Sequence, residues 1–132
     1  IAIRINAYEQ TIKTLGNDKV KGQPLIRELA IGRTKQEAFE VARKPLLAKY
    51  ESYATWGQTD TKKERTLSDT FEEFCRDRFI IGDEQEVVDE ILKYKESFGV
   101  DNLLVRVQWP GLGQGEVLKT LDHLGKIIAT VS

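Results

Sequence analysis

Two short apolar runs, each bounded by proline or glycine, most constrain the fold of this chain. They cover residues 24–32 and 102–109, and runs of this length and composition are typical of buried strands. Helical patterns fill most of the sequence between them. Strands joined through helices pair in parallel, because the crossover returns the chain to the same end of the sheet. The sequence therefore predicts an α/β fold with two parallel strands.

Five segments repeat apolar residues at helical spacing. In the second segment, Thr34 and Glu37 have the spacing of a capping box, and Pro45 predicts a kink or the start of another helix. Gly99 supplies a stop after the fourth segment. Residues 79–82 form only a brief apolar step. The predicted helices cover residues 3–15, 34–56, 68–76, 83–99 and 115–131.

Two parallel strands are too few for a complete domain, because a parallel sheet needs cover on both faces. The chain has 132 residues, no methionine, and isoleucine at position 1. We therefore expect residues 1–132 to be a single segment of a larger α/β protein. A truncated α/β module that self-associates through its strand edges is a second possibility, and a homo-oligomer is expected.

Composition excludes several classes of function. Twenty basic residues balance twenty-one acidic ones, whereas a dedicated nucleic-acid binder normally has a basic surplus. No apolar run is long enough to cross a membrane. The single cysteine excludes an internal disulfide framework and a cysteine zinc cluster. A metal site built on the single histidine would need carboxylates as its other ligands, and no HExxH spacing is present. We expect a cytoplasmic protein without a nucleic-acid partner, a membrane partner or a metal site.

The second strand becomes more polar toward its C-terminal end, on the face that carries Arg106 and Gln108. Trp109 falls on the opposite, apolar face. Active sites of α/β barrels lie at the C-terminal ends of the strands, so Arg106 and Gln108 are candidate pocket residues. Glu28 and Ala30 have the equivalent inward positions on the first strand. If the strands are neighbours, Glu28 pairs with Arg106, and replacing Arg106 with leucine is expected to lower the free energy of unfolding by about 3 kcal/mol or more.

Three further features receive structural interpretations. His123 lies off the apolar stripe of the last helix, which indicates a surface histidine. Cys75 has no second cysteine to pair with, and we expect it to be semi-buried. Residues 111–115 are glycine-rich and lie between a strand and a helix, but they lack the established phosphate-loop patterns. They predict a flexible loop at the rim of the sheet.

Residues 57–67 contain almost no apolar side chain and predict a long, mobile surface loop. Loops of this length in compact domains are often lids or binding loops. A solvated connection between two helices is an equally weighted interpretation.

Several segments, taken in order, resemble the late part of bacterial luciferase-like flavin-dependent monooxygenases. The strongest resemblance lies in residues 99–111, which contain the second predicted strand. The other segments are residues 24–32, residues 78–83, and the series Tyr50, Tyr53, Trp56 and Gly57.

The resemblance implies a (β/α)₈ barrel, of which this chain would be the C-terminal portion with the last two strands. The family uses reduced FMN and oxygen to oxidise small organic substrates. A fragment of a deazaflavin-dependent dehydrogenase of the same superfamily is an alternative. Flavin contacts would lie mostly on earlier strands, so no catalytic or flavin-binding residue is assigned and tight flavin binding by this chain alone is not expected. The resemblance makes Arg106, Gln108 and Trp109 pocket-rim candidates, to which the strand pattern adds Glu28. It makes Lys62, Lys63 and Arg65 candidate lid cations.

Overall fold

A computed structural model describes residues 2–18, 24–57 and 70–132. These residues form a mixed α/β fold, and the five helices predicted from the sequence are confirmed. In chain order the elements are α1 (Ala2–Leu15), β1 (Pro24–Ile31), α2 (Lys35–Thr55), α3 (Phe71–Cys75), β2 (Phe79–Gly82), α4 (Glu84–Phe98), β3 (Asn102–Arg106) and α5 (Gln114–Val131).

The three strands form one parallel sheet with the order β2-β1-β3. The central strand β1 pairs with β2 through residues 28–31 and with β3 through residues 24–28. The two strands predicted from the sequence are therefore neighbours. Glu28 is the residue of β1 that pairs with both neighbouring strands: its partner is Phe79 on β2 and Arg106 on β3.

The predicted number of strands was wrong, because residues 79–82 form a third strand. Four residues are too few to display an alternating pattern, and pairing with the buried end of β1 is what makes this segment a strand. The strand predicted over residues 102–109 was too long, since β3 ends at Arg106.

Helices cover both faces of the sheet. Leu29 and Ile31 point to one face, where α4 and α5 pack, and Ala30 points to the opposite face, where α2 packs. This separation follows from the alternation of side chains along a strand and confirms the predicted faces of β1. The first face holds Leu29, Ile31, Ile80, Val87, Val88, Tyr94 and Ile127, and the second holds Ala30, Ala42, Leu46, Phe74, Cys75, Phe79 and Trp109.

Helix α2 continues through the buried Pro45, so this proline does not start a second helix. At the N-terminus of α2, the Thr34 hydroxyl accepts a hydrogen bond from the backbone N–H of Glu37. The Glu37 carboxylate accepts from the backbone N–H of Arg33 and not from that of Thr34. Only one half of the predicted capping box is therefore formed.

None of the helices in the described ranges is both long and apolar enough to span a membrane. Residues 58–67 of the predicted lid-like loop, including Lys62, Lys63 and Arg65, lie outside the described residues.

Candidate functional site

Glu28 is a carboxylate buried at the centre of the sheet, with only 1% of its surface exposed. The indole Nε1 of Trp109 donates a hydrogen bond to its Oε2 at 2.5 Å. Arg106 Nη2 lies 2.6 Å and Lys49 Nζ 2.8 Å from its Oε1. Burying a charge is costly unless it is paired and hydrogen-bonded, and these three donors meet that requirement. We call Glu28, Lys49, Arg106 and Trp109 the Glu28 cluster.

Each member of the Glu28 cluster is positioned by a different part of the fold. The parallel register places Arg106 of β3 directly beside Glu28 of β1. Lys49 extends from α2 and lies three residues after the buried Leu46, on the same side of that helix. Trp109 comes from the segment that follows β3.

The predicted face of Trp109 was wrong. Leu103, Val105 and Val107 pack on the α4 and α5 side of the sheet, as their alternation predicts. Trp109 should follow them, but it is buried on the α2 side with Ala30. Since β3 ends at Arg106, strand alternation no longer constrains the chain beyond that residue, and the indole crosses to the side of Glu28.

The two cations of the Glu28 cluster, Lys49 and Arg106, differ in their exposure to solvent. One carboxylate faces two cations, and the side chain of Lys49 is 10% exposed whereas that of Arg106 is 46% exposed. Burial, followed by the negative charge of Glu28, raises the pKa of the adjacent Tyr50 to about 12, so this phenol stays neutral at physiological pH. The cluster can therefore present one guanidinium to a ligand at the C-terminal end of β3.

The structure brings together three of the four predicted pocket-rim residues: Glu28, Arg106 and Trp109. The fourth, Gln108, is exposed, and its amide donates a 3.5 Å hydrogen bond to the backbone oxygen of Leu112. The predicted ion pair between Glu28 and Arg106 is confirmed. The role of all four residues in a pocket stays a prediction.

Sequence reasoning missed Lys49, although a signal was present. Ala42, Leu46 and Lys49 follow one another at helical spacing, and the first two are fully buried. A lysine on this stripe must bury its aliphatic stem and find a partner for its ammonium group. Lys49 Nζ also lies 5.7 Å from the ring centroid of Tyr53, a distance compatible with a cation–π contact.

The interpretation of His123 as a surface residue was wrong. Its side chain is only 15% exposed, and its Nδ1 lies 2.6 Å from Glu84 Oε1 at the start of α4. A carboxylate partner on Nδ1 fixes the orientation of an imidazole ring. His123 thus joins α5 to α4 and lines a cleft beside β1.

Residues 111–115 lead from Trp109 into α5 through a tight turn. The backbone N–H of Leu112 donates to the carbonyl oxygen of Trp109 at 3.0 Å, and Gly111 has a positive φ of 84°, which favours glycine. Among the described residues, no group of three or more histidine, cysteine, aspartate or glutamate side chains could hold a metal ion.

Cys75 is fully buried, with 3% exposure. Burial, and then the nearby Glu72 carboxylate, raise the pKa of its thiol from 9.0 to about 12. The thiolate is the reactive form of cysteine, and burial keeps Cys75 as the neutral thiol at neutral pH.

We expect Cys75 to make the protein less stable at alkaline pH. Because the folded pKa is higher than the unfolded value, its contribution to stability is intact below pH 9 and is lost as the pH rises toward 12. Urea unfolding at about pH 8 and about pH 10 should show a smaller alkaline loss for Cys75→Ala than for the unchanged chain. Equal losses in both proteins would contradict this prediction.

Comparison with known proteins identifies a fold but no sequence family. No protein-family model matches the sequence, and no curated protein matches it. A similar solved structure is the oxygenating constituent of 3,6-diketocamphane monooxygenase from the CAM plasmid of Pseudomonas putida, a type II Baeyer–Villiger monooxygenase in complex with FMN. The TM-score is 0.66 at 14% sequence identity, and the match covers 96% of this chain and 38% of that chain. The described chain therefore has the fold of a part of that larger protein.

Proposed function

We propose that this chain is the C-terminal part of a luciferase-like, flavin-dependent monooxygenase that oxidises a small organic substrate with reduced FMN and oxygen. The observation that carries the proposal is the fold match, which includes nearly all of this chain and less than two fifths of an FMN-bound monooxygenase. The resemblance of residues 24–32 and 99–111 to the late part of the luciferase-like family supports the same conclusion independently.

The pairing of strands in the sheet supports the proposal that this chain is part of a barrel. Consecutive barrel strands lie side by side in parallel, as β1 and β3 do. We propose that these are the last two barrel strands. The short strand β2 pairs only with residues 28–31 and would be an addition to the barrel rather than one of its eight strands.

In this proposal Glu28 and Arg106 lie on the inward face of the barrel strands, and α2 crosses the C-terminal end of that face, where it supplies Lys49. Arg106 is half exposed at the end of β3, and Ile26 and Leu104 are 47% and 44% exposed on the same sheet. Together they offer one guanidinium beside apolar side chains, as expected of a pocket for a small organic substrate. Gln108 and Trp109 would lie at the rim of this pocket, and the lid would contribute Lys62, Lys63 and Arg65.

The Glu28 cluster does not fit the flavin by itself. The phosphate of FMN is about doubly negative at neutral pH and needs cations or backbone donors. Lys49 and Arg106 are held by the buried carboxylate of Glu28, and Trp109 fills the space beside it. We therefore propose that the flavin contacts lie on the rest of the parent protein, where reduced FMN, or a deazaflavin in its place, supplies the redox chemistry.

Flavin titration tests this proposal. The complete reading frame should bind FMN saturably, whereas the 132-residue chain alone should show no saturation below about 1 mM. Quenching of flavin fluorescence measures the binding of FMN by each of these two proteins. A complete protein that does not bind flavin would overturn the proposed function. Tight binding by the short chain would overturn only the location of the flavin contacts.

A noncatalytic module that self-associates is the second candidate function. Within the described residues no strand pairs with the outer edge of β3, and open edges favour pairing with another chain. The half-exposed Leu104 lies on this edge strand, and the half-exposed Ile26 is its partner on β1. Sedimentation would show a dimer without bound flavin if this candidate is correct, and a monomer would remove it.

A further inference from the structure

The face of β1 and β3 that carries Glu28 consists of two successive pairs of residues. The register joins Ile26 to Leu104 and, two residues later on each strand, Glu28 to Arg106. Side chains two positions apart on a strand point to the same side of the sheet, so these four residues share one face. This face is apolar at the first pair and charged at the second, which lies nearer the C-terminal ends of the strands.

Three of these four side chains are open to a bound molecule. Ile26, Leu104 and Arg106 are each about half exposed, whereas Glu28 is buried. In the proposed barrel this face borders the interior, so a ligand there meets an apolar surface and one guanidinium. Residues two positions apart on a strand are separated by roughly 7 Å. A short alkyl chain with a polar group at one end spans this distance.

The Glu28 cluster carries a surplus of one positive charge. Glu28 supplies one negative charge, while Lys49 and Arg106 supply two positive charges and lie against the same carboxylate oxygen, Oε1. The other oxygen, Oε2, accepts a hydrogen bond from the neutral indole of Trp109. One carboxylate can neutralise only one of the two cations. Because Lys49 is nearly buried and Arg106 is half exposed, the surplus charge faces a ligand through Arg106.

Arg106 can bind a ligand without releasing Glu28. Among the described residues Glu28 is its one ion-pair partner, and this pair joins Arg106 Nη2 to Glu28 Oε1. A guanidinium has five N–H donors arranged in a planar fork, so donors remain for a second group. A carboxylate fits such a fork through both of its oxygens. The arrangement therefore favours a ligand with one carboxylate over a neutral ligand of the same shape.

We propose that the substrate of the parent enzyme is a small organic monocarboxylate and that Arg106 selects it. The carboxylate of the substrate lies against Arg106, and its apolar body extends over Leu104 and Ile26. A single negative charge matches the surplus of one positive charge in the Glu28 cluster. The inference rests on the proposed function, since the rest of the barrel must enclose the ligand, and adds to it the class of substrate and the residue that determines specificity.

Calorimetric titration of the complete reading frame with hexanoate tests the site. Hexanamide, which has the same body without the charge, should bind about tenfold more weakly. A complete protein that binds FMN but does not prefer hexanoate would overturn this inference and leave the proposed function in place. Failure to bind FMN would instead overturn the proposed function. Tighter binding of inorganic phosphate than of hexanoate would also contradict the inference, because the site would then suit a phosphate group.

Arginine variants of the complete protein separate selection by Arg106 from a structural role. Arg106→Gln should weaken hexanoate binding about tenfold and leave hexanamide binding unchanged, whereas a structural defect would weaken both. Arg27→Gln is the matched control, because Arg27 precedes Glu28 on β1 but extends to the opposite side of the sheet, where its Nε donates to the Tyr94 hydroxyl. It should leave both affinities unchanged. Equal effects of the two substitutions on hexanoate binding would overturn the proposal.

Discussion

Replacing Glu28 with glutamine is expected to lower the free energy of unfolding by about 3 kcal/mol. The substitution keeps the size of the side chain but removes the negative charge. Lys49, with only 10% of its side chain exposed, would then carry a nearly buried ammonium without a counter-charge. Urea unfolding followed by circular dichroism measures the loss.

Two further variants test whether the missing negative charge causes the loss of stability in Glu28→Gln. Glu28→Gln combined with Lys49→Met should recover part of the lost stability, because an apolar side chain no longer needs the carboxylate. Glu96→Gln, on the exposed side of α4, should be nearly neutral. If Glu28→Gln is as stable as the unchanged chain, the Glu28 cluster does not stabilise the fold.

The structure also revises the expectation for Arg106→Leu. The sequence predicts a loss of about 3 kcal/mol or more, because the substitution breaks a buried ion pair and leaves Glu28 in place. Lys49 and Trp109 would still donate to this carboxylate after the substitution, and Arg106 is half exposed. We now expect a smaller loss than for Glu28→Gln.

Leu46→Ala is expected to lower the free energy of unfolding by about 3 kcal/mol. Leu46 is fully buried between α2 and the sheet, in the cluster with Ala30 and Trp109. Truncation loses the burial of the side chain and leaves a cavity that the neighbouring backbone can close only in part. Chemical unfolding measures this loss.

The adjacent Leu47 provides the control, because it is only partly buried in the same helix. Leu47→Ala changes helix propensity by the same amount and should cost about 1 kcal/mol. Equal losses for Leu46→Ala and Leu47→Ala would mean that α2 does not pack on the sheet by the face seen here.

Local sequence patterns were sufficient to predict those helices and strands that are long and periodic. The helical repeat that leads to Gly99 predicted α4, and the two apolar runs predicted β1 and β3 as strands. The alternation along β1 also placed Glu28 and Ala30 on one face, and that placement led to the pair with Arg106. Each of these predictions depends on side-chain period alone.

The remaining features depend on contacts between distant segments. The four residues of β2 become a strand only by pairing with β1. Trp109 lies on the face opposite to the predicted one because β3 has already ended. The alternation of side chains along a strand does not predict where a side chain points beyond the end of that strand. A lysine in a helical pattern is usually solvated, so Lys49 was passed over although its stripe is buried. His123 was misplaced because its partner, Glu84, lies on another helix.

The Glu28 cluster also determines how the two long parts of the described chain depend on each other. Glu28 and Lys49 belong to residues 24–57, whereas Arg106 and Trp109 belong to residues 70–132. Neither part can complete the hydrogen bonds of the buried carboxylate without the other. The cluster is therefore a polar cross-link, which joins distant segments as a disulfide would, in a chain whose single cysteine cannot form one internally.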